Sequence, residues 1–361
     1  MPALSTELRG LTLDEVKSIA NSIGEKPYRG LQVFQWLHDK AVRNWEQMTN
    51  ISPKVQEQLA AKANIYPLRL LQEQISRDGT RKQLWQLRDG QAIESVLLHH
   101  EGDITRNRYT LCISTQVGCP MGCGFCATAK LGFIRNLSTA EIVSQVLDTT
   151  AYLRQTIPDF KISNVVYMGM GEPLLNLPAV LKSIKILNHK DGQNIGIRRI
   201  TVSTCGLVPQ IDELAAEKLD LVLAISLHAP NNALRNKIMP VNKQYPLEEL
   251  LSACRRYVAK TGRRITMEYT LIKDFNDQPQ HARELVQLLS GLNANVNLIP
   301  INESSVVAET LGKKFKRPMR ETAIIFKKIL QDAGVNSVIR EEKGHDIDAA
   351  CGQLAGSFQS R

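Results

Sequence analysis

The sequence lacks the features that would place this chain in a membrane or outside the cell. No apolar run among its 361 residues reaches the roughly 18 residues that a membrane-spanning helix needs. The stretch from Met1 to Arg9 does not contain the hydrophobic core of a signal peptide. Cysteine is sparse and odd in number, seven in all, which is not typical of a secreted disulfide framework. We therefore expect a cytoplasmic protein with reduced thiols and no membrane partner.

Three of the cysteines stand close together in a C-x3-C-x2-C pattern: Cys119, Cys123 and Cys126. An apolar run that predicts a strand precedes them, and interspersed glycines permit tight backbone turns. One short loop can therefore direct all three sulfurs to a common centre. No fourth Cys or His is near them in the sequence, so the set is one ligand short of a closed tetrahedral zinc site or an ordinary four-cysteine cluster.

An iron-sulfur cluster held by only three thiolates keeps one iron open for another ligand. The loop, with Phe125 just before its last cysteine, closely resembles the cluster loop of the radical S-adenosylmethionine (SAM) enzymes. This resemblance implies one [4Fe-4S] cluster with Cys119, Cys123 and Cys126 as its ligands, and SAM at the open iron. The alternative is a structural zinc loop or a set of buried thiols, and its functional counterpart is a zinc-stabilised RNA-binding factor.

The order of predicted elements divides the chain into four parts. Residues 1–70 read as a helical accessory domain, 71–110 as a β-rich linker with a hairpin, 111–335 as a barrel, and 336–361 as a C-terminal segment. Within 111–335, strongly apolar strands alternate with amphipathic helices, which indicates parallel strands covered by helices. We predict an α/β fold, a partial (βα)6 TIM-like barrel of radical SAM type, with its active site at the carboxyl ends of the strands. The strands predicted in it are 110–114, 164–168, 199–203, 221–226, 265–271 and 295–300, and the longest predicted helix is 139–153.

Polar or glycine-rich segments follow successive predicted strands, where a barrel builds its ligand sites. Together they can hydrogen-bond the amine, the carboxylate and the ribose of SAM, and Glu172 is suited to the ammonium group. The candidate SAM-binding residues are Gly171, Glu172, Ser203, Ser226, Leu227, His228 and Asn302.

Several other residues allow more than one interpretation. Glu94 interrupts the strand predicted over 92–98, and alternation alone favours a solvent-facing charge. Cys112 lies on the strand that enters the triad, where a single cysteine is typical of a core. Cys351 lies in a glycine-flanked segment near the end of the sequence, and a reactive role and a core role are equally compatible with that position. Cys205 and Cys254 are interpreted as packing residues.

Five blocks give the sequence a more specific resemblance. In order along the chain, it resembles the RlmN-type RNA adenine C2-methyltransferases at 24–29, 112–126, 169–173, 226–230 and 346–354. The resemblance implies methylation of C2 of an adenosine in the peptidyl-transferase centre of 23S rRNA, and of adenosine 37 in some tRNAs. The stretch between Glu94 and Cys112 is longer than in the family. The Cfr-type enzymes, which methylate C8 of adenine, are the alternative, and the block at 24–29 disfavours them.

The resemblance also implies a mechanism that consumes two SAM molecules per turnover. Cys351 takes a methyl group from the first, and the radical made from the second activates that methyl group for addition to C2. Cys112 or Glu94 then removes the C2 proton. Finally Cys112 attacks the sulfur of Cys351, and the disulfide Cys112–Cys351 forms as the methylated RNA leaves. An electron-donating reductase such as flavodoxin is an implied partner.

The charge balance agrees with a nucleic-acid partner. With 45 basic and 36 acidic residues, the chain carries a formal charge of +9. A basic surface favours polyanions, here 23S rRNA and tRNA. Basic and aromatic residues in the N-terminal part, such as Arg29 and Trp45, are compatible with an RNA-docking module and equally with a plain packing subdomain. We expect the protein to act as a monomer.

Overall fold

The computed structural model describes residues 6–100, 108–302, 315–341, 343–349 and 352–354. Within these ranges, no helix combines the length and the apolar character that a bilayer crossing requires. The helices are α1 Leu13–Ser22, α2 Pro27–His38, α3 Pro53–Ala60, α4 Ala127–Lys130, α5 Thr139–Leu153, α6 Leu177–Leu187, α7 Val208–Ala216, α8 Asn232–Ile238, α9 Leu247–Thr261, α10 Pro279–Leu288 and α11 Arg320–Asp332. The strands are β1 Thr6–Glu7, β2 Ala63–Asn64, β3 Arg69–Ile75, β4 Arg81–Gln86, β5 Ala92–His100, β6 Arg108–Cys112, β7 Gln116–Gly118, β8 Phe133–Asn136, β9 Asn164–Tyr167, β10 Ile200–Thr204, β11 Val222–Ser226, β12 Ile265–Leu271, β13 Ala294–Pro300 and β14 Ser337–Ile339.

The N-terminal helices begin where the sequence supplies residues that start helices. The Thr12 side chain accepts from the main-chain N–H of Glu15, and the Glu15 carboxylate accepts from the main-chain N–H of Thr12. Pro27 and Pro53 lie in the first turns of α2 and α3, where a missing N–H leaves no helical bond unmade. The predicted helical N-terminal part is therefore present.

A buried ion pair ties this helical part to the barrel. Nη1 of Arg9 lies 2.7 Å from Oδ2 of Asp148 on α5, and the two side chains are 1% and 0% exposed. Arg9 also donates to the carbonyl of Val42, and Asp148 accepts from the main-chain N–H of Leu68. Nε of Arg43 lies 3.7 Å from Oδ1 of the same carboxylate, so two cations from the N-terminal part hold Asp148, and the closer of them is buried with it.

One ten-stranded sheet carries the rest of the fold, in the order β14-β13-β12-β11-β10-β9-β6-β5-β4-β3. The pairs from β6 through β9 to β14 are parallel, which makes the partial barrel. The pairs β3–β4, β4–β5 and β5–β6 are antiparallel and extend the same sheet. The predicted β-rich linker is thus hydrogen-bonded to the barrel through β6.

The predicted partial barrel is confirmed, and its predicted strands correspond to β6 and β9–β13. Helix α5 has the predicted bounds because Ser138 and Glu141 form a capping box at its start. Strand β6 ends at Cys112 rather than at Ser114, because the main-chain N–H of Ser114 donates to the side chain of Gln145 instead of a neighbouring strand.

Candidate active site

The three-cysteine loop follows β7 and is held by its main chain. Gly118 has a φ of +75°, and a Cβ built there would lie 1.9 Å from the carbonyl oxygen of Gly132, so only glycine fits. The N–H of Cys119 donates to that same carbonyl at 2.8 Å, and the N–H of Gly124 donates to the carbonyl of Ile238 at 2.8 Å. These bonds fix both halves of the loop, so the sulfurs are directed into one cavity.

This cavity lies at the carboxyl ends of β9–β13, as predicted for a barrel. Most of the predicted site residues contribute to its wall: Cys119, Cys123, Cys126, Gly171, Glu172, Ser203, Ser226, His228 and Asn302. Leu227 does not line it; its side chain is fully buried, and its main chain bonds to Glu268 and Arg235. The sequence did not single out Glu268, Thr270 and Gln353, which also face the cavity.

Glu172 presents a buried carboxylate to the cavity. Its Oε2 accepts from the N–H of Cys205 at 2.7 Å and its Oε1 from the N–H of Leu174 at 3.1 Å. Gly171 precedes it with a φ of +103°, where a Cβ would meet the side chain of Gln116 at 2.6 Å. Burial raises the pKa of Glu172, and these N–H donors only partly oppose the rise. A cationic ligand would therefore stabilise the ionised carboxylate, and the ammonium group of SAM is such a ligand.

His228 and Asn302 supply neutral polar groups to the same wall. Burial, with the nearby charge of Arg235, lowers the pKa of His228 to about 3, so the ring is neutral at physiological pH. Its Nδ1 accepts from the N–H of Thr270 at 3.0 Å, which leaves its proton on Nε2 as a donor. Oδ1 of Asn302 is buried, and no described residue donates to it. A bound polar ligand would satisfy this orphaned acceptor.

The three cysteine side chains line one cavity, with Cys123 buried and Cys119 and Cys126 partly exposed. Burial raises the pKa of Cys119 to about 12 and also raises that of Cys126, so both would stay protonated without a bound cation. A metal inverts this preference and holds cysteine as thiolate. No three His, Cys, Asp or Glu side chains in the described ranges converge closely enough to bind a single metal ion.

Two residues beside the triad differ from what the sequence indicated: Cys205 was interpreted as a packing residue, and Arg235 was not singled out. Cys205 is not a simple packing residue, because its Sγ lies 3.8 Å from Sγ of Cys123, so a fourth thiol is near the triad after all. The hydrogen bond to Cys123, together with burial, raises the pKa of Cys205, which therefore stays protonated. The fully buried Arg235 donates to the carbonyls of Cys205, Ser226 and Leu227, and so ties the ends of β10 and β11 together. Neither position carries a recognisable sequence signal.

Glu94 is buried, so the expectation of a solvent-facing charge was wrong. Its side chain is 7% exposed, and its Oε1 lies 3.7 Å from Nζ of Lys82 on the neighbouring strand. The C-terminal segment reaches this face of the sheet through Asp348, whose carbonyl accepts from Lys82 at 3.2 Å. Half-buried Cys112 pairs in register with Val96, two residues along from Glu94, so Glu94 and Cys112 lie on the same face.

Cys351, the predicted methyl carrier, lies outside the described residues. The described residues that follow it reach the cavity: Gly352 and Gln353 line it, and the carbonyl of Gly352 accepts from the N–H of Ala127 at 2.7 Å. The carbonyl of Leu354 accepts from Oγ1 of Thr128 at 2.7 Å. Since Ala127 directly follows Cys126, these bonds attach the C-terminal segment to the cysteine loop.

A partial parallel barrel with a three-cysteine loop and a carboxylate at its strand ends defines a radical SAM enzyme. Residues 113–286 match the family model of the radical SAM superfamily, whose members use a [4Fe-4S] cluster and SAM. Residues 6–65 match the model described as the ribosomal RNA large subunit methyltransferase N-terminal domain. The chain belongs to the RlmN family.

Individual relatives cover nearly the whole chain. The probable dual-specificity RNA methyltransferase RlmN of Heliobacterium modesticaldum is 47% identical over 98% of this chain and 90% of its own length. That of Thermotoga maritima is 48% identical over 96% of each chain. The crystal structure of a radical SAM methyltransferase from Sphaerobacter thermophilus superimposes with a TM-score of 0.90, at 42% identity, over 98% of this chain and all of that one. Membership of this family contradicts the zinc-stabilised RNA-binding factor.

Proposed function

We propose that this chain methylates C2 of an adenosine in the peptidyl-transferase centre of 23S rRNA and C2 of adenosine 37 in some tRNAs. The observation that carries the proposal is that Gly352 and Leu354, which follow Cys351 in the chain, are hydrogen-bonded to Ala127 and Thr128 next to the cysteine loop. A methyl carrier has to work beside both the cofactor and the RNA base, and this attachment keeps its neighbours at the cavity. The dual-specificity names of the relatives support the two RNA classes.

Different residues of the cavity would bind the [4Fe-4S] cluster and SAM. Cys119, Cys123 and Cys126 would hold one [4Fe-4S] cluster, and the carboxylate of Glu172 would bind the ammonium group of SAM. The remaining polar contacts to SAM would come from the wall residues Gly171, Ser203, Ser226, His228 and Asn302, with Leu227 acting through its main chain only. When bound, the cluster and SAM supply a 5′-deoxyadenosyl radical, and a further SAM supplies the methyl group, so two are used per turnover.

The chain's own residues would perform the steps on RNA. C2 of adenine is an electron-poor carbon without a nucleophilic lone pair, so a methyl group cannot be delivered to it directly from a sulfonium. Cys351 would carry the methyl group on its sulfur, lose one hydrogen atom from it to the radical, and join the remaining methylene carbon to C2. Glu94 or Cys112 would take the C2 proton, and the Cys112 thiolate would then attack the Cys351 sulfur. The S–S bond would form as the S–CH2 bond breaks, the unpaired electron of the adduct would be given up to the electron carrier, and the freed carbon would take up a proton to become the methyl group of the released RNA. An external reductant then reopens the Cys112–Cys351 disulfide.

The remaining parts of the chain would serve substrate and electron delivery. We assign residues 1–70 to RNA docking, 71–110 to the sheet extension that carries Glu94, 111–335 to the barrel and 336–361 to the carrier segment. The target base has to leave its stack to enter the cavity, as in other enzymes that modify bases. An electron donor such as flavodoxin is the proposed redox partner, and a cytoplasmic monomer the proposed working form.

Mapping the modified atom tests the substrate assignment. RNA from cells that lack and that express the protein is digested and analysed by mass spectrometry against 2-methyladenosine and 8-methyladenosine standards. We expect 2-methyladenosine in both 23S rRNA and tRNA only when the protein is present. Methylation at C8 would instead show that the Cfr-type alternative is right.

Single substitutions test the proposed pair of thiols, because Cys112 and Cys351 should fail in different ways. Cys351→Ala removes the carrier, so no carbon reaches the RNA although the cluster still forms. Cys112→Ala leaves the carrier but removes the thiol that attacks it, so protein should accumulate covalently attached to RNA. A denaturing gel with nuclease digestion detects this adduct, and mass spectrometry places it on Cys351. Normal turnover by Cys112→Ala, or a stall without any adduct, would contradict the disulfide mechanism.

A further inference from the structure

The turn between β3 and β4 bonds to the C-terminal segment before Cys351 in the chain, whereas the cysteine loop bonds to it after Cys351. The hydroxyl of Ser76 donates to the carboxylate of Asp346, and the main-chain N–H of Arg77 donates to the same side chain at 3.3 Å. The N–H of Gly344 donates to Oδ2 of Asp78 at 2.9 Å. The segment that carries Cys351 is therefore attached at two places, and this turn supplies one of them.

Lys82 extends this attachment to the interior of the sheet. Its Nζ donates to the carbonyl of Asp348 at 3.2 Å and lies 3.7 Å from Oε1 of Glu94. The Lys82 and Glu94 side chains are only 13% and 7% exposed, so water screens neither charge well. One ammonium group thus contacts both the candidate proton acceptor and the main chain three residues before Cys351.

The sheet register places Lys82 beside the other predicted participants. Lys82 on β4 is paired with Val96 on β5, and Val96 is paired with Cys112 on β6. Directly paired residues have their side chains on the same face of a sheet, and so does Glu94, two residues from Val96. A single face therefore carries the cation, the carboxylate and the thiol, and the C-terminal segment crosses it at Asp348.

We infer that Lys82 is a positioning residue that holds the Glu94 carboxylate in a fixed relation to the segment carrying Cys351. The inference rests on the proposed roles of Glu94 and Cys351. Without the ammonium group, the carboxylate loses a partner that fixes its orientation, and the carbonyl of Asp348 loses its donor. Proton removal from C2 would then be slowed, because an acceptor works only within hydrogen-bond reach of the proton that it takes.

The experiment compares Lys82→Met, Lys82→Arg and Arg81→Met in the full-length protein with its cluster reconstituted. Arg81 is the matched control: it is the preceding residue of β4, points to the other face, and its Nη1 is paired with Glu73 at 3.0 Å. Methylation of a tRNA with deuterium at C2 of adenosine 37 is compared with that of unlabelled tRNA. A deuterium isotope effect on kcat appears only where removal of the C2 proton limits turnover.

We expect Lys82→Met to lower kcat about 10- to 100-fold, as for a misplaced catalytic group, with KM for tRNA within about twofold of wild type. The isotope effect should rise in Lys82→Met, fall back towards wild type in Lys82→Arg, and remain at the wild-type value in Arg81→Met. Combining Lys82→Met with Glu94→Gln should cost no more than Glu94→Gln alone, because both changes affect one step. Melting temperature and iron content confirm that each variant is folded and loaded.

Three results would overturn the inference: equal kcat for Lys82→Met and Arg81→Met, a loss of kcat without a larger isotope effect, or additive losses in the double variant. Failure of the proposed function is a separate outcome. In that case the wild-type protein itself would yield no 2-methyladenosine, and the role assigned to Lys82 would fail with it.

Discussion

Replacing Glu172 by Gln should weaken SAM binding more than the same change at Glu268, the other carboxylate of the described cavity wall. The carboxylate is 2% exposed and lies at the end of β9, where it would be the charged partner of the SAM ammonium group. A hydrogen bond to a charged group contributes about 1.5–3 kcal/mol. At about 1.4 kcal/mol per tenfold change, the dissociation constant for SAM should rise about 10- to 150-fold.

The same substitution should also lower the stability of the protein. The two carboxylate oxygens accept from the N–H groups of Cys205 and Leu174, at 2.7 and 3.1 Å. A glutamine amide offers only one oxygen, so one of these buried N–H groups loses its acceptor, at a cost of about 1–3 kcal/mol. The free energy of unfolding, measured by chemical denaturation, separates this effect from the loss of SAM affinity.

Glu268→Gln is the matched control for the binding measurement. Glu268 is also buried in the cavity wall, 7% exposed, but its Oε1 accepts from the side chain of Asn297 at 2.9 Å. Equilibrium dialysis with labelled SAM, on anaerobic protein normalised to its iron content, should give a near wild-type dissociation constant for Glu268→Gln. An unchanged SAM affinity in Glu172→Gln, or an equal loss in Glu268→Gln, would refute the assignment of the ammonium site to Glu172.

Three further predictions follow from the cluster, the charge and the buried ion pair. Cys123→Ala should remove most of the bound iron. Because the Cys205 thiol lies 3.8 Å from the Cys123 sulfur and could replace it as a ligand, the double variant Cys123→Ala/Cys205→Ser is the stricter test. Full iron content in that double variant would exclude Cys123 as a ligand. With a formal charge of +9, RNA affinity should fall with salt, log K dropping by about 0.7–0.9 per phosphate contact per decade, and a salt-independent titration would contradict this. Arg9→Met should leave the buried Asp148 with only its longer ion pair, to Arg43 at 3.7 Å, and lower the free energy of unfolding by up to about 3–5 kcal/mol. Lys40→Met, which removes an exposed pair, should change that free energy by less than about 1 kcal/mol, and equal losses would refute the argument.

The parts of this fold that depend on neighbours in the sequence were predictable. Helix α5 starts where Ser138 and Glu141 cap it, and the barrel strands appear as apolar runs in which buried residues alternate with half-buried ones, as in β9 and β10. The cysteine loop is equally local, since its spacing and the need for glycine at position 118 lie within a few residues of each other. These features are decided before any long-range contact forms.

Contacts between distant segments were not predictable in the same way, and Glu94 shows why. Alternation along a strand tells which residues share a face, but it does not tell whether that face is covered. Glu94 is buried beside Lys82, and Lys82 in turn bonds to Asp348, in a segment that follows Glu94 by more than two hundred residues. Cys205 is a similar case, since only the packing of the ends of β10 and β11 around Arg235 brings its sulfur beside Cys123.

The position of Lys82 follows from the same physical argument. From the sequence alone, Lys82 is predicted to be a solvated charge on a strand, and no neighbouring residue in the sequence indicates a different role. Its proposed role depends on two long-range contacts. Strand pairing places it on the same sheet face as Val96 and Cys112, and the C-terminal segment supplies the carbonyl of Asp348 as its acceptor. Charged groups that lose water on folding need specific partners, so a buried cation that contacts two distant segments constrains both of them. For this reason the face shared by Lys82, Glu94 and Cys112 is where substitutions should affect the chemistry on RNA while leaving the cluster intact.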